Sequence, residues 1–321
     1  MKDYRLVDWA TQGYLLVVAV LTLLFRNETV PLWGALVLGH LAGAAGIHWL
    51  IRVSSARPDH KVLGFLRAFY PMMLYTVFYR ETEYLNRMFV NGYLDLWFIR
   101  LEDGLFGTQP SVRFMEWLPH RWVAEVMYGA YFSYYLMIIG VGIALYLRDR
   151  RQFAHYLTVV SILFYVCYLT YVFLPVCGPR LFFEDFQGIA ISPETRQIGL
   201  PHPMPASVAG GVFPSIILLI YRHLEAAGAA FPSSHVAVAL CTTWFSFLYL
   251  RKVRLWHALA TLLLCISTVY CRYHYVVDVL AGALTALLVV PLANWLHRRI
   301  DQEPARAGPI VPPSHEPAQS R

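Results

Sequence analysis

Charge is scarce in this sequence. Asp, Glu, Lys and Arg make up 14% of its 321 residues, against roughly a quarter in an ordinary soluble domain. Mean hydropathy is +0.48, and the apolar residues gather in blocks of the ~20 residues that a helix needs to cross a bilayer. A soluble enzyme is thereby excluded. Lysine is scarcer still, three residues beside 23 Arg, a bias expected of a GC-rich bacterial genome and hence of a bacterial plasma membrane. The net charge of +6 comes with no basic stripe interleaved with stacking aromatics. Anionic lipid, and no nucleic acid, is therefore the expected partner of these cations. The five Cys make no disulfide framework. Cys167, Cys241 and Cys265 lie in apolar runs as small hydrophobes. Cys177 and Cys271 fall at segment ends on one face, where a bridge is conceivable and two free thiols are the expected state. An HExxH pattern and an internal repeat are both missing. The first apolar run, 13–25, has no small-x-small cleavage site and leads straight into Arg26, Asn27 and Glu28, so it is expected to stay as a first span.

What is present is a series of hydrophobic segments at about 10–25, 32–51, 62–79, 122–147, 154–176, 234–250, 255–272 and 275–297. The expected fold is all-α, a polytopic membrane helical bundle of about eight spans. The third span is the weakest, because Arg67 and Pro71 interrupt it. Basic residues fix the orientation. Arg52, Arg57 and Lys61 share one loop, Arg148, Arg150 and Arg151 a second, Arg251, Lys252 and Arg254 a third, and Arg298 and Arg299 follow the last span. Eight alternating spans put all four sets on one side, expected to be cytoplasmic together with both termini. Between spans three and four, residues 80–121 alternate charged and apolar residues with many Trp and Tyr, as interfacial amphipathic helices do. The segment 177–233 is rich in Pro and Gly, but "VFPSIILLIYRHL" within it reads as a short helix leaning into the membrane. The division expected is N-terminal spans over 1–55, a catalytic membrane domain over 56–298 with a six-helix core, and a disordered Pro-rich tail over 299–321.

Three separate segments then reach the outer face: "CGPR" after span five, "FPSSH" at the start of span six, and "CRYHYVVD" between spans seven and eight. Ionisable residues at the edge of a span are costly, and a functional role is their default reading. His274 and Asp278 are four residues apart, which on a helix places them on one face within about 6 Å at the Cβ atoms. A carboxylate so placed fixes the imidazole tautomer and frees the other nitrogen as a nucleophile or base. Arg272 lies two residues before His274, and its guanidinium matches phosphate oxygens. In "FPSSH", Ser233 or Ser234 reads as a helix N-cap whose free N–H groups make an anion site. His235 follows in the first turn, able to protonate a leaving oxygen. Arg180 adds a second guanidinium against charge building on a phosphoryl group.

The order of "FPSSH" and "CRYHYVVDVLAG" resembles the second and third signatures of the phosphatidic acid phosphatase type 2 superfamily. Within it the chain is most similar to the inositol-phosphotransferase branch typified by inositol phosphorylceramide synthase, with "LEDGLFGTQP" a further, weaker likeness. The similarity spans about 60–297. It implies a metal-free, cofactor-free covalent mechanism in which His274 matches the nucleophile that becomes a phosphohistidine. Asp278 matches its orienting acid, His235 the general acid and Ser233 a phosphate-binding Ser, while Ser234 stands where Gly is common. The chain also departs from the pattern. Thr268 occupies the place of the third signature's Arg, so Arg272 substitutes for it by proximity only. The first signature is absent, since "GPR" reverses its Arg-Pro and Phe173 stands in place of its Lys.

The expected activity is phosphoryl transfer on a membrane lipid phosphate or phosphodiester at the extracytoplasmic face. Either water accepts the phosphoryl group, as in a lipid phosphatase, or an alcohol such as inositol does, as in a transferase. Two other classes compete. A zinc-dependent hydrolase would use His235, His274 and Asp278 as ligands, and a non-enzymatic lipid transporter would need none of them for flux.

Overall fold

The structure is a computed structural model and describes residues 3–183 and 205–301. Most of the "PHPMP" stretch, and the tail beyond 301 expected to be disordered, lie outside the described residues. The described chain is all-helical: α1 (Leu6–Phe25), α2 (Trp33–Ala56), α3 (Lys61–Leu85), α4 (Asp95–Phe106), α5 (Pro110–Trp117), α6 (Arg121–Arg148), α7 (Arg150–Phe173), α8 (Pro179–Phe183), α9 (Ala206–Ala209), α10 (Val212–Leu224), α11 (Ser234–Tyr249), α12 (Arg254–Tyr270) and α13 (Val276–Ile300). Six of them, α1, α2, α3, α6, α7 and α13, are long and apolar enough to cross a membrane. Helices α11 and α12 occupy the other two expected spans but have only 16 and 17 residues. The chain is an integral, multi-pass membrane helical bundle.

Beyond its first turn helix α7 carries no Asp, Glu, Lys or Arg on any side, and a helix of that kind belongs in the middle. It packs against α1, α3, α6, α11 and α13, and its Tyr156, Tyr165, Tyr168 and Tyr171 are all buried. Hydroxyls buried away from water need partners, and these find them across helices. Tyr165 shares a 2.8 Å hydrogen bond with Thr11 of α1, Ser161 one of 2.8 Å with Tyr75 of α3, and Tyr171 donates to the Pro232 carbonyl at 3.1 Å. The outer faces are the reverse. Leu280, Leu284, Leu287 and Leu288 of α13 are all more than half exposed, at the i, i+4, i+7, i+8 spacing of one helical face. Such a face would be a liability in water and is the normal surface in lipid.

Arg67 and Pro71 do not break α3, which runs continuously through both. Arg67 instead reaches the fully buried Asp8 of α1 in a bidentate pair, with one arm at 2.8 Å. Tyr70 donates to the same carboxylate at 2.6 Å and the Arg5 amide at 2.7 Å. The N-terminal spans are thus bolted to α3 and α7 by polar as well as apolar contacts.

The four basic sets do gather at one end of the bundle. Arg148 at the end of α6 donates to the Tyr249 carbonyl at the end of α11. The ring of His155, near the start of α7, stacks on His297 near the end of α13 at 4.5 Å. Arg52 at the end of α2 sits 3.9 Å from Asp3, and the Leu6 amide donates to Asp301 at 2.7 Å. Short amphipathic helices α4, α5 and α10 lie toward the opposite end, as expected for an interfacial cap. Replacing Arg67 with Met leaves Asp8 buried without its cation, and should lower stability by about 3–5 kcal/mol. The drop is to be read from thermal unfolding in detergent, and adding Asp8→Asn should restore most of it.

Candidate active site

Three chain segments meet at the capped end, and backbone hydrogen bonds hold them together. Residues 176–178 run beside 228–230, with the Ala230 amide donating to the Val176 carbonyl at 2.8 Å and the Val176 amide to that of Gly228 at 3.3 Å. The Arg180 amide donates to the Arg272 carbonyl at 2.5 Å, and the Ser233 amide to that of Asp278 at 3.0 Å. Two glycines permit this closeness. Gly178 has φ +87°, and a Cβ there would meet the Tyr273 carbonyl at 2.5 Å. A Cβ on Gly282 would meet the Ser233 carbonyl at 2.4 Å, so the Gly of "DVLAG" is what lets α13 lie against the start of α11.

Ser233 is the N-cap of α11 and its Oγ accepts from the Val236 amide at 3.3 Å. Ser234 and His235 form the first turn. The His235 ring lies against Tyr134 and Tyr131 in tilted contacts, with centroids at 4.3 and 4.9 Å, and its Nε2 shares a 3.0 Å hydrogen bond with the Tyr131 hydroxyl. That hydroxyl is also bonded to Tyr221 of α10. The other nitrogen, Nδ1, faces His274 Nε2 at 3.3 Å.

The expected helical pairing of His274 and Asp278 is corrected by the structure. His274 precedes α13, whose N-cap is Tyr275. Asp278 is the third residue of the helix and folds back, its Oδ2 accepting from the Tyr275 amide at 2.8 Å in a capping box. The carboxylate nevertheless comes within 3.4 Å of His274 Nδ1, because the cap turns the backbone at 275 toward it. His274 is 3% exposed. Burial drives its pKa down to about 3, a fall that hydrogen bonding at the Ala230 backbone opposes. The ring is therefore neutral at ordinary pH, with a lone pair available.

Arg272 is fully buried and holds a left-handed backbone, φ +62°, unusual for a residue with a side chain and often found beside functional sites. Arg180 is brought to the same place, its guanidinium 5.4 Å from the ring centres of both Tyr221 and Tyr273. It is also bonded to Glu225. Burial disfavours its charge, but the Glu225 carboxylate outweighs that and its pKa is raised. All seven expected residues, Ser233, Ser234, His235, Arg272, His274, Asp278 and Arg180, thus converge on one region. Beside Ser234 and His235 opens a mostly apolar cavity of about 220 Å³, walled by α3, α6, α7 and α10 through residues such as Thr76, Tyr79, Ile139 and Leu224.

Four residues had no role expected from the sequence, although Glu102 lies within "LEDGLFGTQP": Asp95, Glu102, Tyr131 and Glu225. Asp95 and Glu102 are both fully buried on α4. Asp95 accepts from the Cys177 and Gly178 amides at 2.8 and 2.9 Å and from the Tyr275 hydroxyl at 3.1 Å. Glu102 accepts from the first amides of α13, Val276 at 2.5 Å and Val277 at 3.4 Å. Their i, i+7 spacing on one amphipathic helix was the available signal. Among the described residues no three His, Cys, Asp or Glu side chains are grouped to hold a metal ion, and all five Cys are free thiols.

A family model described as the PAP2 superfamily matches residues 96–292, from α4 through most of α13. The chain belongs to that superfamily of phosphatase-type enzymes, whose substrates include lipid phosphates. Searches of curated proteins and of solved structures returned no significant match.

Burial raises both Asp95 and Glu102 to about pH 7, against the pull of their backbone donors. Each carboxyl holds its proton more tightly folded than unfolded, so its contribution to stability is complete below the unfolded value near 4 and is lost as pH rises through about 7. Thermal midpoints should therefore fall between about pH 4 and pH 7, and Asp95→Asn should flatten part of that slope. Asp95→Ala leaves two buried amides without an acceptor and should cost at least about 2 kcal/mol at every pH.

Proposed function

We propose that this protein transfers a phosphoryl group from a membrane lipid phosphate or phosphodiester through a phosphohistidine. The observation that carries this is the 3.3 Å approach of His274 Nε2 to His235 Nδ1, with Asp278 behind the first ring and Tyr131 behind the second. Two imidazoles so aimed can work on opposite sides of one phosphorus atom, the rings parting to admit it.

In the first step the lone pair on His274 Nε2 attacks phosphorus. The N–P bond forms, the P–O bond to the leaving group breaks, and His235 gives that oxygen its proton. Asp278 holds the other ring nitrogen and stabilises the cation that develops. In the second step water or an alcohol attacks the phosphohistidine, its proton passes to His235, and the N–P bond breaks. Ser233, Ser234 and the N-terminal amides of α11 are suited to the phosphoryl oxygens. Arg272 and Arg180 would supply positive charge, the latter by exchanging Glu225 for phosphate. The apolar cavity at Ser234 and His235 suits the chain of a lipid donor. No metal or cofactor has a step in this reading.

The likeness of "LEDGLFGTQP" favours the inositol-phosphotransferase branch, and so an alcohol acceptor such as inositol over water. The clustering of basic loops at the far end supports placing that end in the cytoplasm and the histidines at the extracytoplasmic face.

Purified protein incubated with radiolabelled lipid phosphates and phosphodiesters, with and without inositol, should yield an inositol-dependent product: water-soluble inositol phosphate from a lipid phosphate, or an inositol-bearing lipid where a phosphodiester donor leaves its phosphatidyl group on His274. Free phosphate as the sole product would instead mean a phosphatase. His274→Ala should abolish turnover and leave no acid-labile phosphoenzyme, and persistence of that adduct would move the nucleophile elsewhere. Asp278→Asn should reduce kcat by roughly 10³–10⁴-fold with the fold intact, by analogy with other carboxylate-oriented imidazoles.

A further inference from the structure

At the basic end, far along the bundle from the histidines, a second cavity opens between the α6–α7 corner and the α11–α12 corner. Its volume is about 600 Å³, and Arg148, Gln152, Leu248, Tyr249, Arg251 and Lys252 are among its walls. Three of those are cations, and no carboxylate lines it. The neighbouring acid, Asp149, is turned into the helix as the N-cap of α7, accepting from the Arg151 amide at 2.8 Å. Arg150 is engaged over the Tyr146 ring and Arg254 over Phe247, so the cations around the cavity do not all share one role. Arg251 and Lys252 are exposed.

Loop charges that only set topology need no cavity behind them. Here the charges rim a hollow lined otherwise by Ala144, Leu248, Leu250 and Val253, where the long apolar helices α6 and α7 end and begin. A free anion would gain nothing from that apolar lining, whereas a phospholipid would place its phosphate among the cations and its glycerol and first methylenes below. Basic pockets between membrane helices bind anionic headgroups in this way.

The geometry points to a binding site for one anionic phospholipid in this cavity, with the phosphate held by Arg148, Arg251 and Lys252. The site is separate from the one that performs the proposed reaction, and its occupancy does not depend on that chemistry.

Full-length protein, stripped of lipid in neutral detergent, is titrated with phosphatidylglycerol, with phosphatidylcholine and with inorganic phosphate, and adducts are counted by native mass spectrometry. One tightly held phosphatidylglycerol per chain is expected, with phosphatidylcholine bound far more weakly. Arg251→Gln with Lys252→Gln should weaken that adduct by on the order of 30-fold, and adding Arg148→Gln should bring the loss to on the order of 100-fold. The double variant leaves the Arg148 bond to the Tyr249 carbonyl untouched, so its loss of lipid cannot be laid to unfolding of that corner. As a control, Arg52→Gln, Arg57→Gln and Lys61→Gln together remove three charges from the same end and should leave the tight adduct in place. Equal weakening by the control, equal binding of the two lipids, an adduct insensitive to the pocket variants, or displacement of the lipid by millimolar phosphate would each overturn the assignment.

Discussion

Two carboxylates on one short helix hold the histidine end of this molecule together. Asp95 takes the amides that follow α7, and Glu102 takes the first amides of α13. Both also work against their own burial, since a carboxyl removed from water resists ionisation. The arrangement persists because the alternative is worse: the backbone donors at these chain ends would be buried without acceptors. From that fixed frame the rest follows. Residues 176–178 lie beside 228–230, the Ser233 amide reaches the Asp278 carbonyl, and His235 is left facing His274.

Membrane burial explains why so much of the structure is a network of hydroxyls. Lipid offers no partner to a polar atom, so α7 presents Tyr and Ser side chains to α1, α3 and the Pro232 carbonyl. The same rule turns Arg67 from an apparent interruption of a span into its anchor, because Asp8 waits for it across the bundle. Around His235 the network becomes functional in character, with Tyr131 and Tyr221 linking the imidazole toward Arg180.

The two ends of the bundle carry cations for different ends. At the histidine end Arg180 is half-buried and paired with Glu225, and Arg272 is fully buried and held in a left-handed turn. At the opposite end the basic residues are mostly exposed, and where they surround a hollow they suit a lipid phosphate. A superfamily whose members handle phosphorylated lipids is a natural setting for both.

How much of this could be read from the chain alone divides along physical lines. The eight helices were legible because hydrophobic length is a local property, and the convergence of "CGPR", "FPSSH" and "CRYHYVVD" followed from counting alternations across a membrane. His274 and Asp278 do lie side by side, but not through the shared helical face that their spacing suggested: a capping turn bends Asp278 back past Tyr275. Spacing cannot distinguish these, since both bring residues four apart together. Asp95, Glu102, Tyr131 and Glu225 escaped because their meaning lies in partners 45 to 180 residues away. The sequence by itself determined a membrane bundle with its reactive residues at one end. Which carboxylate braces which backbone, and which cation is already neutralised, were decided only by tertiary packing, because those contacts depend on where helices cross and not on what any one of them contains.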